Sequence, residues 1–182
     1  MPNSSRHVST HSPEYALLGF LYAQPNHGYN LHQQLVTELG HVWHVSQSQT
    51  YNILKRLEAQ AYVSSTTHEQ EKLPPRQILK ITASGRRRFK EWLEAPSGSS
   101  VRAVRLEFIT RLYFAQKLFP DMLPMMFEAQ SDEINKAFAR LESDRATVPA
   151  EQTFNRLSLE LRIQQLRSMQ DWFIQCRETF ET

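Results

Sequence analysis

The stretch Ser46-Gln47-Ser48-Gln49-Thr50-Tyr51-Asn52-Ile53-Leu54-Lys55-Arg56-Leu57-Glu58-Ala59-Gln60-Ala61 decides the fold. Ser46 is of the residue type that caps a helix start, its side-chain oxygen accepting from a backbone N–H one turn on. Thr50, Leu54, Leu57 and Ala61 then stand at i, i+4, i+7 and i+11, the spacing of one buried helical stripe. The opposite face carries Gln49, Asn52, Lys55 and Arg56. A duplex major groove admits one helix and is read by side chains of this kind. Gln47, Gln49 and Asn52 can donate and accept at adenine edges, Ser48 is short and adaptable, and Lys55 and Arg56 suit phosphate or guanine. A solvated face on any small helix would show the same pattern, so periodicity alone leaves both readings open.

Toward the N-terminus, Gly40 closes a helix that begins near His27-Gly28-Tyr29 and runs through Leu31, Leu35 and Leu39. Before it, Gln24-Pro25-Asn26 breaks an earlier helix that starts at Ser12-Pro13 and carries Tyr15, Leu17, Leu18, Leu21 and Tyr22. The first twelve residues are polar and are expected to form a flexible tail.

Toward the C-terminus, Tyr62-Val63 and Gln77–Ile81 read as two strands of a hairpin. Its polar tip holds Lys72 and Arg76, placed to reach flanking phosphates or the minor groove. Thr82 caps a fourth helix with Phe89, Trp92 and Leu93 on its apolar side. The order of three helices, hairpin and helix is that of a winged helix-turn-helix unit over 13–95. Arg86-Arg87-Arg88 and Lys90 on the fourth helix point in different directions, so these charges are read as mostly solvated.

Pro96-Ser97-Gly98-Ser99-Ser100 reads as the linker to a second domain over 101–182. That domain is expected to hold three long helices, at about 101–118, 121–146 and 151–181. They carry more apolar residues than some eighty residues can bury, so they are expected to pair with a second copy of the chain. The fold class is therefore mainly α, a winged helix-turn-helix domain followed by a helical dimerisation domain.

Charge and composition fit this division. Residues 1–95 carry ten Lys and Arg against seven acids and all seven histidines, while residues 96–182 carry eleven against twelve. A basic head on a near-neutral tail suits a polyanion-binding module. Five glycines in 182 residues argue against an all-β chain with many tight turns. No apolar run is long enough to span a bilayer and no signal segment is visible, so a cytoplasmic protein with no membrane partner is expected. The single Cys176 suits a reducing compartment.

Catalytic and metal chemistry find little support. His7 with His11 and His41 with His44 have ligand spacing, but no cysteine or carboxylate cluster completes either pair. There is no glycine-rich phosphate loop, nucleophile elbow or paired-carboxylate motif, and no cofactor is implied. Tyr15, Tyr22, Trp43, Tyr113 and Trp172 are candidates to line a ligand pocket, with core packing the alternative for each.

The residues also carry a family resemblance. Leu18-Gly19, His27-Gly28-Tyr29, the run Thr50 to Glu58, Arg76, Ile81-Thr82, Gly85 and Trp92-Leu93 resemble the motifs of PadR-type regulators, the phenolic-acid-responsive repressor family. Val101-Arg102, Leu106 to Phe108 and Leu112 to Phe114 are similar to its virulence-activator-like branch. The resemblance implies a homodimer binding double-stranded palindromic operator DNA, usually as a repressor, with a small aromatic effector as an open expectation. It implies that Tyr51 contacts the DNA backbone or supports the helix that does. Four positions depart from the family: Asn52 where proline is frequent, Ala61 for a usual glycine, and Ile78-Leu79 where two aromatics are common. A helix-turn-helix module that binds a partner protein through its C-terminal helices is the competing class.

Overall fold

The structure, a computed structural model, describes residues 12–70 and 73–180, with side chains described outside 67–76. The expectations for the first eleven residues, with His7 and His11, for Lys72, and for the side chain of Arg76 lie outside the described residues. Two compact units divide the chain, Met1–Ala95 and Pro96–Thr182.

The first unit is built around α1 (Glu14–Ala23), whose Ala16, Leu17, Leu18, Phe20 and Leu21 are all buried. A helix apolar nearly all round is a central helix, and α1 packs against α2 (Gly28–Leu39), α3 (Gln47–Ala59), α4 (Ala83–Glu94) and strand β3 (Leu73–Ile81). The neighbours contribute Leu31 and Leu35 from α2, Leu54 and Leu57 from α3, and Phe89 and Leu93 from α4. Thr82 caps α4 by accepting from the Gly85 N–H at 3.1 Å. Gly85 is required by contact, since a Cβ there would stand 2.1 Å from the Tyr62 carbonyl oxygen.

The sheet has three antiparallel strands in the order β1-β3-β2, where the sequence suggests a two-stranded hairpin. Strand β2 (Val63–Gln70) pairs Val63 with Ile81 and Ser65 with Leu79, and β1 (Asn26–His27) pairs with Leu79 and Ile78 on the other edge of β3. Two residues carry no alternation, so β1 has no periodic signal. It is fixed by pairing and by the His27 imidazole, whose Nδ1 donates to the Gln77 carbonyl at 2.9 Å.

Gly40 closes α2 where the sequence suggests, with a right-handed φ of −63°. One local expectation changes. Ala61 is exposed rather than part of the α3 stripe, because α3 ends at Ala59; Ile53 takes its place among the buried residues Thr50, Leu54 and Leu57. Ala61 has φ 58°, its N–H donates to the Glu58 carbonyl, and the Tyr62 N–H donates to the Leu57 carbonyl, both at 2.9 Å. That pair of bonds is a Schellman stop, which favours glycine at the left-handed residue. Alanine is strained there, so Ala61→Gly is expected to stabilise the first unit by about 1 kcal/mol, roughly 4–8 °C in Tm. Thermal melts of both proteins check this, and an unchanged or lower Tm would show that Ala61 carries no strain.

The second unit is helical. A short α5 (Val101–Ala103) runs through a π-helical stretch (Val104–Phe108) into α6 (Ile109–Leu118), followed by α7 (Leu123–Thr147) and α8 (Thr153–Phe180). The core joins Val104, Phe108, Phe127, Ile134, Leu141, Ile163, Leu166 and Phe173. Ser97, expected in a linker, is buried in this unit: its N–H donates to Gln130 Oε1 and its hydroxyl accepts from Arg111, each at 2.8 Å. Along α8, Met169 and Phe173 are buried, whereas Phe154, Leu157, Leu161 and Ile174 are more than half exposed.

Candidate nucleic-acid interface

The α3 helix is held at its start by a reciprocal capping box. Ser46 Oγ accepts from the Gln49 N–H at 3.2 Å, and the Ser46 N–H donates to Gln49 Oε1 at 2.8 Å. One turn in, the buried Thr50 hydroxyl donates to the Ser46 carbonyl at 3.2 Å and is bonded to His32 Nδ1 of α2 at 3.0 Å. The helix is thus fixed to α2 through a buried polar contact as well as through leucines.

From this frame Gln47, Ser48, Gln49, Tyr51, Asn52, Lys55 and Arg56 are all exposed, so the structure brings all seven expected α3 residues to the surface. They are not equivalent. Ser48, Asn52 and Lys55 stand at i, i+4 and i+7, one line along the helix. Gln49 and Arg56 are seven residues apart and form a second line beside it. Gln49 has its carbonyl oxygen in the capping box, and Arg56 Nη2 donates to Glu14 Oε2 of α1 at 2.8 Å.

Glu14 is a functional neighbour that sequence reading misses. An acid in the first turn of a helix reads as a surface residue favoured by the helix dipole. Its side chain is instead 1% exposed, and its other oxygen accepts from Arg88 of α4. Arg88 lies over the Tyr62 and Tyr15 rings, with 4.3 Å and 5.3 Å to the centroids. Burial opposes its charge, but the Tyr15 hydroxyl and the Glu14 carboxylate outweigh that and raise its pKa. Of the triple-arginine run read as mostly solvated, then, Arg88 is an internal ion-pair partner. Arg86 sits over the Tyr22 ring at 4.7 Å, and Arg87 is exposed.

Beside α3, His27-Gly28-Tyr29 brings the start of α2 against Tyr51. A Cβ on Gly28 would stand 2.9 Å from the Tyr51 ring, so glycine allows the close approach. Tyr29, Tyr51 and Lys55 rim an open cleft of about 530 Å³ over Leu54 and Leu79. Cleft and Ser48–Asn52–Lys55 line form one continuous exposed surface of polar, aromatic and basic groups, suited to a phosphate backbone beside base edges.

Of the five aromatic pocket candidates, Tyr15 and Tyr22 are linked through Trp92 and Phe89, which lie 5.9 Å apart. Tyr15 stacks on Trp92 with 4.5 Å between centroids, Tyr22 packs on Phe89 at 5.3 Å, and Trp43 is a core residue of the first unit. In the second unit, Tyr113 packs against Phe114 and accepts from Lys117 Nζ, while Trp172 packs on Phe108 and Phe173. His41 and His44 are exposed in the α2–α3 link, and no group of three metal-binding side chains occurs among the described residues. Burial raises the Cys176 thiol pKa, which lowers its thiolate fraction and its reactivity. No helix among the described residues is long and apolar enough to cross a membrane.

Residues 17–91 match the transcriptional regulator PadR-like family. The chain is 28% identical over 130 residues to the negative transcriptional regulator PadR of Bacillus subtilis, covering 70% of this chain and 68% of that one. It is 29% identical over 82 residues to a probable transcriptional regulator of Mycobacterium tuberculosis, covering 45% and 43%. Among solved structures, Bacillus subtilis PadR in complex with operator DNA is similar with a TM-score of 0.44 at 21% identity, over 92% of this chain and 98% of that one. The same protein in complex with p-coumaric acid gives a TM-score of 0.41 at 19% identity, over 96% and 98%.

Proposed function

We propose that this chain, whose residues 17–91 match the PadR-like family of transcriptional regulators, is a homodimeric repressor that seats α3 in the major groove of a palindromic operator. It is a regulator rather than an enzyme. The observation that carries the reading is the exposed line Ser48, Asn52 and Lys55 on a helix capped at its start and tied to its neighbours. Tyr51 and Lys55 position the helix on phosphates, Gln47, Ser48 and Asn52 face base edges, and Lys72 and Arg76 on the wing meet flanking DNA.

The exposed Phe154, Leu157 and Leu161 at the start of α8 support pairing of two copies through the second unit. A small aromatic acid is the proposed effector class, since the Bacillus subtilis relative has been crystallised with p-coumaric acid. Release of the protein from operator DNA on adding such an acid tests that part, and unchanged binding would remove it.

Binding to a promoter fragment at rising salt tests the core of the reading. Each neutralised phosphate steepens the slope of log Kobs against log salt by about 0.9. Lys55→Ala is therefore expected to flatten the slope by roughly one unit while leaving the melting temperature close to wild type. A flat wild-type slope would favour a module that binds protein partners instead.

A further inference from the structure

We infer that Arg56 is a positioning residue, tied back by Glu14, and that it does not contact DNA. The inference rests on α3 being the reading helix and narrows which of its residues read. Arg56 has the charge and exposure of a phosphate contact: its side chain is 49% exposed on the same helix as Lys55. Its Nη2, however, satisfies one oxygen of a carboxylate that is itself buried. The other oxygen is taken by Arg88, whose guanidinium is fixed between α1 and the Tyr62 ring and cannot serve both. Moving Arg56 onto a phosphate would strip a buried carboxylate oxygen of its donor in exchange for a contact in water. A buried, half-satisfied carboxylate costs more than an exposed ion pair returns.

The geometry gives the tie a purpose. Glu14 joins α1, α3 and α4 at one point, 42 residues from Arg56 and 74 from Arg88 in sequence. At the other end of the same helix line, Gln49 is held in the capping box. Both polar residues of that line are thus committed to fixing the helix, one near each end. Base reading falls to the neighbouring line of Ser48, Asn52 and Lys55, flanked by Gln47 and Tyr51. Arg56 and Glu14 set the angle at which that line meets the groove.

Operator affinity across a salt series decides between the roles, using the full-length protein with Arg56→Ala, Arg56→Lys and Glu14→Gln, and Lys55→Ala as the phosphate-contact reference. A steep wild-type slope establishes DNA binding independently of this inference, and a flat one would remove the premise rather than test the tie. For Arg56→Ala the expected result is a parallel loss of affinity of roughly tenfold, with the wild-type slope kept and a folded spectrum. Arg56→Lys, which restores a cation to Glu14, recovers part of it. Glu14→Gln shows a similar parallel loss, and adding Arg56→Ala to it costs little more. A slope reduced by about one unit in Arg56→Ala, as in Lys55→Ala, overturns the inference by making Arg56 a phosphate contact. Full affinity in a folded Arg56→Ala protein overturns it equally, since a residue that only stabilises would not move the Kd of the folded state. If Glu14→Gln does not fold, the two Arg56 variants decide alone.

Discussion

Phe108→Ala is expected to destabilise the second unit by about 3–5 kcal/mol, the cost of removing a large aromatic side chain from a packed core. Phe108 is 2% exposed. Its ring lies 4.7 Å from Phe173, 5.7 Å from Phe127 and 6.5 Å from Trp172, so it joins α7 and α8 to the helix that carries it. The Phe127 and Trp172 rings meet it at 68° and 84°, edge contacts that alanine cannot replace. Calorimetry of the full chain should show the transition of residues 96–182 lowered by at least about 12 °C. A shift of only a degree or two would mean that the core lies elsewhere.

Ending the chain after Ala95 is expected to leave a folded head with far weaker operator binding. The head has its own core, formed by α1 with α2, α3, α4 and the sheet. The cut falls before Ser97, whose hydrogen bonds belong to the second unit. If the second unit pairs two copies, its removal turns a two-site contact, with half-sites about 34 Å apart, into a one-site contact. The loss is then about 10²–10⁴-fold, the usual gain from linking two sites. Sedimentation should find a monomer. A truncated head that still sediments as a dimer and binds at full strength would move the interface into the first unit.

What the sequence makes legible here is what repeats locally. Helix α3 can be read from Ser46 and the spacing of Thr50, Leu54 and Leu57, and α4 from Thr82, Phe89 and Trp92, because caps and apolar stripes are short-range signals. The long helices after residue 100 follow for the same reason. Glu14 is different. Its partners come from α3 and α4, and nothing near it in sequence distinguishes a buried carboxylate from a surface one. Strand β1 is too short to alternate, and Ala61 does not advertise a left-handed backbone as glycine would.

Gln49 is an intermediate case. Serine followed three residues later by glutamine is a capping-box signature, so its structural role is visible in Ser46-Gln47-Ser48-Gln49 to a reader who weighs capping before base recognition. The aromatic pocket candidates are less legible for the opposite reason: aromatic residues mark cores and cavities alike, and here Trp43 is buried while Tyr15 and Tyr22 are half-buried against Trp92 and Phe89.

The central claim is that α3 reads DNA sequence through the line of Ser48, Asn52 and Lys55. Selection of duplexes from a random pool, run in parallel with the wild-type protein and with Asn52→Ala, tests it most directly. The wild type should recover a two-fold symmetric motif. Asn52→Ala should recover the same motif with one base preference relaxed in each half, a loss of about 1–3 kcal/mol of discrimination at that position alone. An unchanged motif from Asn52→Ala, or no motif from the wild type, would contradict the reading of α3 as the recognition helix.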